Sequence, residues 1–344
     1  MSIPRVNRPL ADGSSYILPQ LEGEIFTIPG FKSVFRMFAS QAQTDNGMAV
    51  FAWDGVKNDT APFHHHNYAH DIFLVAEGTM LCWNGDQCRL LGPGDFASVP
   101  PGTIHKPYPQ GPVTKAIDLI TPGDWVNFFR HVSDKFEGLI FPEWDDRQQG
   151  MFPNLVGNWE EEFDVFAHPD HVGCEVSDWS EKDEILPDGE VPYFLKANKG
   201  PRWLLGGVMS RPFMTTKQSG GRSAISIIES SNAYKSSVFQ EKLAFSSHHC
   251  LVMFDGELKV TIGDGSASSV RPGEVCFLPA NVAFRLEFAS KYVRFWSFAS
   301  GNGIEALVGE AGQRFSGQAL PDQEQPWDEG KLRQACETLK ITIS

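Results

Sequence analysis

The sequence predicts an all-β chain built from two tandem antiparallel barrels of the jelly-roll type, with short flanking helices. Three observations indicate this fold. Short apolar segments alternate with Gly, Pro and Asn turns, which is typical of small barrels. Asn-Gly and Asp-Gly pairs mark hairpins at Asn84-Gly85 and Asp264-Gly265. The same pattern occurs twice in 344 residues, a length that suits about two domains.

An internal repeat sets the domain organisation. The offset between the copies changes by one residue at the hairpin, where insertions are tolerated best. We therefore expect a first domain at residues 1–140, an acidic connection at 141–190 and a second domain at 191–344. The matched positions are Gly78 with Gly256, Gly94 with Gly273, and Pro100 with Pro279.

Each copy is followed by a segment with helical periodicity. Trp125, Phe128, Phe129 and Val132 fall at helical spacing, and residues 304–309 occupy the matching place after the second copy. The simpler interpretation is a helix packed on the barrel. The alternative is that this helix lines the mouth of a substrate cavity.

Composition excludes several classes of partner. The formal net charge is −14 and the pI is near 5.1, with no basic run, so we expect neither nucleic acid nor a membrane as a partner. No window resembles a secretion signal or a membrane span. The six sparse cysteines fit reduced, buried thiols. Together these features predict a cytoplasmic protein that binds a small molecule.

Four residues have the chemistry of a metal site. Side chains alternate along a strand, so His64 and His66 share a face while His65 points away. Asp71 follows five residues later, and His105 comes from a later strand. Three imidazoles and a carboxylate can converge on one divalent metal ion.

The spacing of these residues resembles the two motifs of the cupin superfamily. The first motif corresponds to His64-x-His66-x4-Asp71-x6-Gly78, and the second to Gly94-x5-Pro100-x-Gly102-x2-His105. The repeat makes the chain similar to a bicupin, and its domain order and length resemble the fungal and bacterial quercetin 2,3-dioxygenase group. Residues 192–195 and 200–207 also resemble the entry to the second domain of the fungal enzymes.

Three departures from the motifs bear on chemistry. The opening Gly is absent, Asp71 stands where the family has Glu, and Pro109 replaces the terminal Asn. An Asp carboxylate stands back by roughly 1–1.5 Å relative to Glu, so Asp71 is either a ligand or a group that hydrogen-bonds a ligand or the substrate. His70 is a rival for the same role, but only Asp71 keeps the register to Gly78.

The resemblance implies a dioxygenase. In the enzymes of this group the metal binds a deprotonated flavonol hydroxyl, O2 opens the heterocycle and carbon monoxide is released, with the Glu at the Asp71 position as base or hydrogen-bond partner. Fe, Cu, Mn and Ni all suit imidazole-rich ligation, and one metal per chain is expected. Six aromatic side chains could wall a cavity or simply form the core: Trp53, Phe63, Tyr68, Phe73, Trp83 and Phe96.

The second copy serves as an internal comparison. Applying the offset of the repeat maps the metal positions to Lys242, Ala244, His249 and Phe284. One histidine and an amine are a poor ligand set, so His248 and His249 are expected to be structural or exposed. The second domain is therefore predicted to be a degenerate copy without a metal.

The leading hypothesis is a metal-dependent bicupin dioxygenase, quercetinase-like, acting on a phenolic or enolisable natural product. The alternative is a non-redox isomerase, dehydratase or cyclase acting on a reactive polyketide- or terpenoid-like intermediate of secondary metabolism, with the histidines and Asp71 as acid–base groups. A ligand-binding or storage-like protein is a third possibility. Bicupins resembling this chain occur as monomers and homodimers.

Overall fold

The computed structural model describes residues 2–57, 61–138, 140, 159–235 and 238–344. The chain forms two compact units, here called the N-terminal and C-terminal barrels. The N-terminal barrel contains residues 21–41 and 45–199. The C-terminal barrel contains residues 1–20, 42–44 and 200–344. Of the predicted acidic connection, residues 141–158 lie outside the described residues, and the remainder belongs to the N-terminal barrel.

The strands of the N-terminal barrel are short. They are β2 (Glu24–Thr27), β3 (Val34–Ala39), β4 (Ala49–Gly55), β5 (His64–His65), β6 (His70–Glu77), β7 (Met80–Asn84), β8 (Gln87–Leu91), β9 (Phe96–Val99), β10 (His105–Pro109), β11 (Thr114–Thr121), β12 (Asp134–Lys135), β13 (Phe166–Ala167) and β14 (Tyr193–Leu195).

The strands of the C-terminal barrel include one from the start of the chain. They are β1 (Tyr16–Leu18), β15 (Trp203–Leu205), β16 (Val208–Met214), β17 (Ala224–Ser230), β18 (Leu243–Ala244), β19 (His249–Asp255), β20 (Leu258–Ile262), β21 (Ser268–Val270), β22 (Val275–Leu278), β23 (Phe284–Phe288), β24 (Val293–Ala299), β25 (Gln313–Arg314) and β26 (Thr342–Ile343).

The two barrels have the same sheet topology across the described residues. The N-terminal barrel pairs an eight-stranded sheet, β12-β2-β3-β4-β11-β6-β9-β14, with a five-stranded sheet, β13-β5-β10-β7-β8. The C-terminal barrel repeats this as β25-β15-β16-β17-β24-β19-β22-β1 and β26-β18-β23-β20-β21. The predicted all-β fold of two tandem barrels is therefore confirmed.

The edge strands refine the boundary between the copies. Residues 193–195, which resemble the entry to the second domain, instead form β14 and pair with β9 of the N-terminal barrel. The equivalent edge strand of the C-terminal barrel is β1, which pairs with β22. Each barrel thus completes its large sheet with a segment that lies outside its main run of strands.

The repeated glycines have a steric reason. Gly78 and Gly256 both have a φ of +73°. A Cβ atom at Gly78 would lie 2.2 Å from the main-chain oxygen of Val113, and one at Gly256 would lie 2.1 Å from that of Tyr292. Only glycine accommodates both the left-handed conformation and this close approach, which explains why the position recurs.

Alternation along the strands builds a core inside each barrel. Phe73 and Val75 of β6 lie in the N-terminal core together with Ala116 and Ile120 of β11, and Val75 lies directly opposite Ala116. Asp71 and Asp118 belong to the same inward-facing rows, as their spacing by two residues requires. The C-terminal core is built in the same way and includes Leu251 and Met253 of β19.

Short helices flank the sheets, as predicted. Residues Gly123–Val126 form a 3-10 helix that continues into α2 (Asn127–Val132), and α4 (Ile304–Ala311) occupies the equivalent place in the C-terminal barrel. Within the described ranges, the other helices are α1 (Gln41–Thr44), α3 (Trp159–Phe163), α5 (Glu329–Leu339) and two 3-10 turns at Glu181–Glu184 and Val238–Gln240.

The cysteines largely follow the prediction. All six are free thiols, five of them are buried, and Cys174 is exposed. Among the described residues, no helix combines the length and apolar character that crossing a membrane would require.

Candidate metal centre

The structure brings together His64, His66, Asp71 and His105 inside the N-terminal barrel. All four residues are buried, and one potential ligand atom from each lies within 4.8 Å of the others. His66 Nε2 lies 3.3 Å from Asp71 Oδ2, and His105 Nε2 lies 3.2 Å from the same oxygen. Such a group of four could hold a metal ion.

Strand pairing explains why these residues meet. His64 on β5 lies directly opposite His105 on β10, so the two rings approach each other with centroids 4.2 Å apart. Asp71 is an inward-facing residue at the start of β6, whose first residues lie opposite the end of β11. The site is thus formed where the small and large sheets of one barrel face each other.

Each histidine ring is oriented by a main-chain carbonyl at its Nδ1. His64 Nδ1 lies 2.8 Å from Pro62 O, His66 Nδ1 lies 2.5 Å from Asp164 O, and His105 Nδ1 lies 3.0 Å from Thr103 O. A carbonyl oxygen only accepts, so each Nδ1 carries the donated proton. In the neutral rings, each Nε2 then presents a lone pair, which is the form that ligates a metal.

The Nε2 lone pairs of the three histidines and the carboxylate of Asp71 form a buried group of hydrogen-bond acceptors. His66 Nε2 is buried and makes no hydrogen bond with any residue that the structure describes, although Asp71 lies nearby. Without a proton or a cation, three Nε2 lone pairs facing a carboxylate would repel one another. This donor set fits a divalent transition metal, which imidazole nitrogen and carboxylate oxygen suit.

The ionisation of the cluster reflects this crowding. Burial and the neighbouring His105 and His66 lower the pKa of His64 well below its ordinary value. Burial opposes charge on both His66 and Asp71, but their close approach outweighs it. The pKa of His66 is raised, and the adjacent imidazoles of His105 and His66 hold the pKa of Asp71 well below its usual range. Asp71 is therefore a carboxylate at neutral pH.

Asp164 is a further site residue, which no pattern in the sequence indicates. Its carboxylate accepts hydrogen bonds from the main-chain N–H groups of Asn67, Tyr68 and Ala69, at 2.7, 2.8 and 3.0 Å. Its own carbonyl accepts from His66. Asp164 therefore clamps the loop that separates His66 from Asp71. Its position within an acidic stretch far along the chain offered no local signal of this role.

The neighbouring histidines lie outside the cluster. His70 points to the opposite face of β6, where its Nε2 lies 2.8 Å from Ser98 Oγ and its Nδ1 lies 3.2 Å from Glu190 Oε1. His65 also points away, and its Nδ1 lies 2.7 Å from His168 Nε2. Strand alternation thus brings Asp71, and not its rival His70, to the other ligands.

The cluster opens onto an apolar cavity of about 150 Å³ within the same barrel. An apolar cavity of about this size can accept a benzene ring. Its lining consists of Ile28, Phe31, Ser33, Phe35, Phe51, Trp53, Ala61, Pro62, His64, Asp71, Phe73, Pro107, Asp118, Trp125, Phe128, Phe129, Val132, Trp159, Val165 and Ala167.

The lining of the cavity shows which of the aromatic residues form a cavity wall and which do not. Trp125, Phe128, Phe129 and Val132 all line it, so the segment that begins with the 3-10 turn and α2 forms one of its walls as well as packing on the barrel. Of the six other aromatic candidates, Trp53 and Phe73 line the cavity. The others do not: Tyr68 is 74% exposed, Phe96 is core, and Phe63 packs edge-on against Trp83.

Comparisons with known proteins agree with this architecture. A family model described as "Cupin domain" matches residues 56–114, which contain all four clustered residues. Solved structures are similar to most of the chain: the match to the E. coli protein Ylba covers 85% of this chain and 93% of that protein, with a TM-score of 0.55 and 11% identity. The chain has the fold of a bicupin.

Two curated relatives match most of the chain. Quercetin 2,3-dioxygenase of Bacillus subtilis (strain 168) is 22% identical over 345 residues, covering 99% of this chain and 97% of the relative. Quercetin 2,3-dioxygenase of Aspergillus japonicus is 23% identical over 282 residues, covering 75% and 81%. Oxalate decarboxylase from Bacillus subtilis is similar in fold, with a TM-score of 0.50, 15% identity, and coverage of 83% and 76%.

In the C-terminal barrel, the residue equivalences expected from the offset of the repeat are wrong at β18. Leu243 on β18 lies opposite Phe284 on β23, as His64 lies opposite His105. The counterpart of His64 is therefore Leu243 and not Lys242, and that of His66 is Phe245 and not Ala244. His249 pairs with β22 at the position where Asp71 pairs with β9, so these two residues remain equivalent. The offset between the copies therefore changes by one residue in the loop before β19 and again at the hairpin.

With this correction, apolar residues occupy the positions of all three clustered histidines in the C-terminal barrel: Leu243, Phe245 and Phe284. Phe245 and Phe284 stack with ring centroids 5.6 Å apart, and Phe245 packs edge-on against His249 at 4.8 Å. Both His248 and His249 are buried, so neither is exposed. A single histidine among apolar side chains offers no ligand set for a metal.

Proposed function

We propose that this bicupin is a metal-dependent dioxygenase, similar to quercetin 2,3-dioxygenase, that acts on a phenolic or enolisable small molecule. One observation carries the proposal. Three histidines with their Nε2 atoms directed at a carboxylate form a buried cluster, and that cluster opens onto an apolar, aromatic-lined cavity. The two curated relatives with this name support the choice of reaction.

His64, His66, His105 and Asp71 would hold one divalent transition metal. When bound, the metal would supply a Lewis acid and a redox centre for O2 chemistry. The main-chain carbonyls that accept from the three Nδ1 atoms keep each ring turned with Nε2 inward. This prior orientation favours binding, because little side-chain freedom is lost.

Asp71 serves two purposes in this proposal. Its Oδ2 atom lies close to the Nε2 atoms of His66 and His105, so despite the shorter side chain the carboxylate reaches the ligand set. The residue also lines the cavity. It is therefore in a position to accept a proton or a hydrogen bond from a substrate hydroxyl next to the metal.

The cavity walls supply binding and exclusion of water. Phe51, Phe73 and Phe129 present apolar ring surface to a bound aromatic molecule, and such surface gains from stacking and from burial. A dry cavity also strengthens the electrostatic interactions of the carboxylate with the substrate. These properties favour an aromatic substrate over a small dianion such as oxalate.

A non-redox isomerase, dehydratase or cyclase is the second candidate. It is favoured by the presence of two carboxyl groups, Asp71 and Asp118, on the wall of one apolar cavity, since paired carboxyl groups suit acid–base chemistry. The two candidates differ in one requirement. The dioxygenase consumes O2, whereas the non-redox enzyme turns over under strict anaerobiosis.

An oxygen electrode with quercetin as the first substrate tests the proposal. Protein purified without a histidine tag should contain about one transition metal ion per chain by elemental analysis, and it should consume O2 with quercetin or a related flavonol. Loss of both properties in His64→Ala is expected. Metal-free protein that keeps its activity, or turnover without O2, would exclude the dioxygenase.

A further inference from the structure

Asp118 is a buried carboxyl group outside the cluster of His64, His66, Asp71 and His105. It lies in the middle of β11, opposite Phe51 on β4 and Phe73 on β6. Both of these phenylalanines line the cavity, and so does Asp118 itself. Only 3% of Asp118 is exposed. A polar group in such surroundings is costly unless something binds it.

Asp118 Oδ1 has no hydrogen-bond partner among the residues that the structure describes. By contrast, the polar edge of a neighbouring cavity residue is satisfied internally, since Trp53 Nε1 donates to Ser33 Oγ at 2.8 Å. A second unpartnered atom on the cavity wall is Trp159 Nε1. The cavity therefore offers polar contacts that no described protein group uses.

The position of Asp118 separates it from the metal centre. Asp71 lies opposite Ile120, and Asp118 lies two residues before Ile120 on β11, opposite Phe73. A planar molecule with one end at Asp71 would therefore extend past Phe73 towards Asp118. The distance along a strand for two residues is about 6.6 Å, which is on the scale of one aromatic ring with its substituents.

The charge state of Asp118 indicates what it recognises. Burial, together with the negative charge of Asp71, raises its pKa well above the ordinary value. The protonated carboxyl group has one O–H donor and one carbonyl acceptor. It can therefore donate to and accept from a neutral hydroxyl group, whereas a substrate carboxylate would be repelled by Asp71 and stripped of water by the apolar walls.

We propose that Asp118 is a specificity-determining residue, which hydrogen-bonds a neutral hydroxyl group on the part of the substrate remote from the metal centre. This inference rests on the proposed function, which determines the choice of flavonols as probes. It deepens that function by defining the substrate as an aromatic molecule with two separate polar groups. One is an acidic hydroxyl at the metal centre, and the other is a neutral hydroxyl at Asp118.

Anaerobic binding titrations can test Asp118 without turnover. The probes are quercetin and 3-hydroxyflavone, which share the 3-hydroxyl group but differ in the ring hydroxyls. The metal-loaded wild-type protein should bind quercetin about tenfold more tightly, as one net hydrogen bond allows. Asp118→Leu should bring the two affinities close together by weakening quercetin alone, and Asp118→Asn should retain part of the preference.

A thermal unfolding measurement separates recognition from a structural role. If Asp118 serves a ligand, the ligand-free Asp118→Leu protein should keep or exceed the wild-type Tm, because an unpartnered buried polar atom is removed. A large fall in Tm, or an unchanged quercetin preference in this variant, overturns the inference. Failure of the dioxygenase proposal is a different result, namely no O2 consumption by wild-type protein that binds flavonols.

Discussion

The main-chain oxygen of Asp164 lies 2.5 Å from Nδ1 of His66, and the same residue's carboxylate accepts three main-chain N–H groups from residues 67–69. A single residue thus orients one candidate ligand and holds the loop that leads to another. Asp164 also has a φ of +55°, a conformation that Asn and Asp adopt more readily than Ala does.

Removal of the Asp164 carboxylate should weaken metal binding. We expect Asp164→Ala to lower metal affinity about 10- to 100-fold, as losses of groups that orient ligands typically do, and Asp164→Asn to have a smaller effect because the amide oxygen still accepts. Chelator competition measures both. Asp170→Ala, which removes the same charge from an exposed residue of the same segment, is the control and should bind metal like the wild type.

The adjacent residues His64 and His65 should behave differently on mutation. His64→Ala should abolish stoichiometric metal, because one of four ligand atoms and a preoriented ring are lost. His65→Ala should retain about one ion per chain, since that ring faces His168 and Phe166. Elemental analysis of the two purified variants checks this. Equal metal contents in the two would contradict the assignment of His64.

Asp71 and His70 provide a second matched pair. Asp71→Asn keeps the size of the side chain but removes its charge, so metal affinity should fall at least about tenfold. His70→Gln should leave metal affinity unchanged and lower the free energy of unfolding by about 1–2 kcal/mol, because contacts with Ser98 and Glu190 are disturbed. Isothermal titration with Mn²⁺ and urea unfolding distinguish the two effects. Weakened metal binding in His70→Gln would reopen the choice between them.

The C-terminal barrel should show a pH-dependent stability that Glu305 controls. Burial raises the pKa of Glu305 to about 7, even though the Gly303 N–H hydrogen bond favours its charged form. Between its ordinary pKa of 4.5 and this value, the folded protein binds more protons than the unfolded chain. Stability from this group is therefore complete below pH 4.5 and is lost as the pH rises to about 7.

Glu305→Gln should remove that dependence. At 1.36 kcal/mol per pKa unit, the variant should gain up to about 3 kcal/mol relative to wild type between pH 4.5 and 8. Chemical unfolding across this range measures the difference. The nearby His249, whose burial lowers its pKa to about 3, is present in both proteins, so its opposite effect cancels. A constant difference across the pH range would contradict the prediction.

The sequence determined the features that depend on local periodicity. Strand alternation and motif spacing were enough to select His64, His66, Asp71 and His105, because a side-chain period of two fixes which residues share a face. The glycines at positions 78 and 256 revealed the repeat, because only glycine fits that turn. A local pattern also favoured Asp71 over His70, and the two faces of β6 agree with that choice.

Other features depended on contacts between distant segments, which no local pattern encodes. The counterpart of His64 in the C-terminal barrel is Leu243, one residue beyond the position that a simple offset indicated, because cross-strand pairing and not sequence distance sets the register. Asp164 reaches the site from about 100 residues beyond His66. In the sequence Asp118 resembles any charged residue of a strand. Only the tertiary structure places it on the wall of an apolar cavity, where a buried carboxyl oxygen without a partner among the described residues is costly unless a ligand binds it.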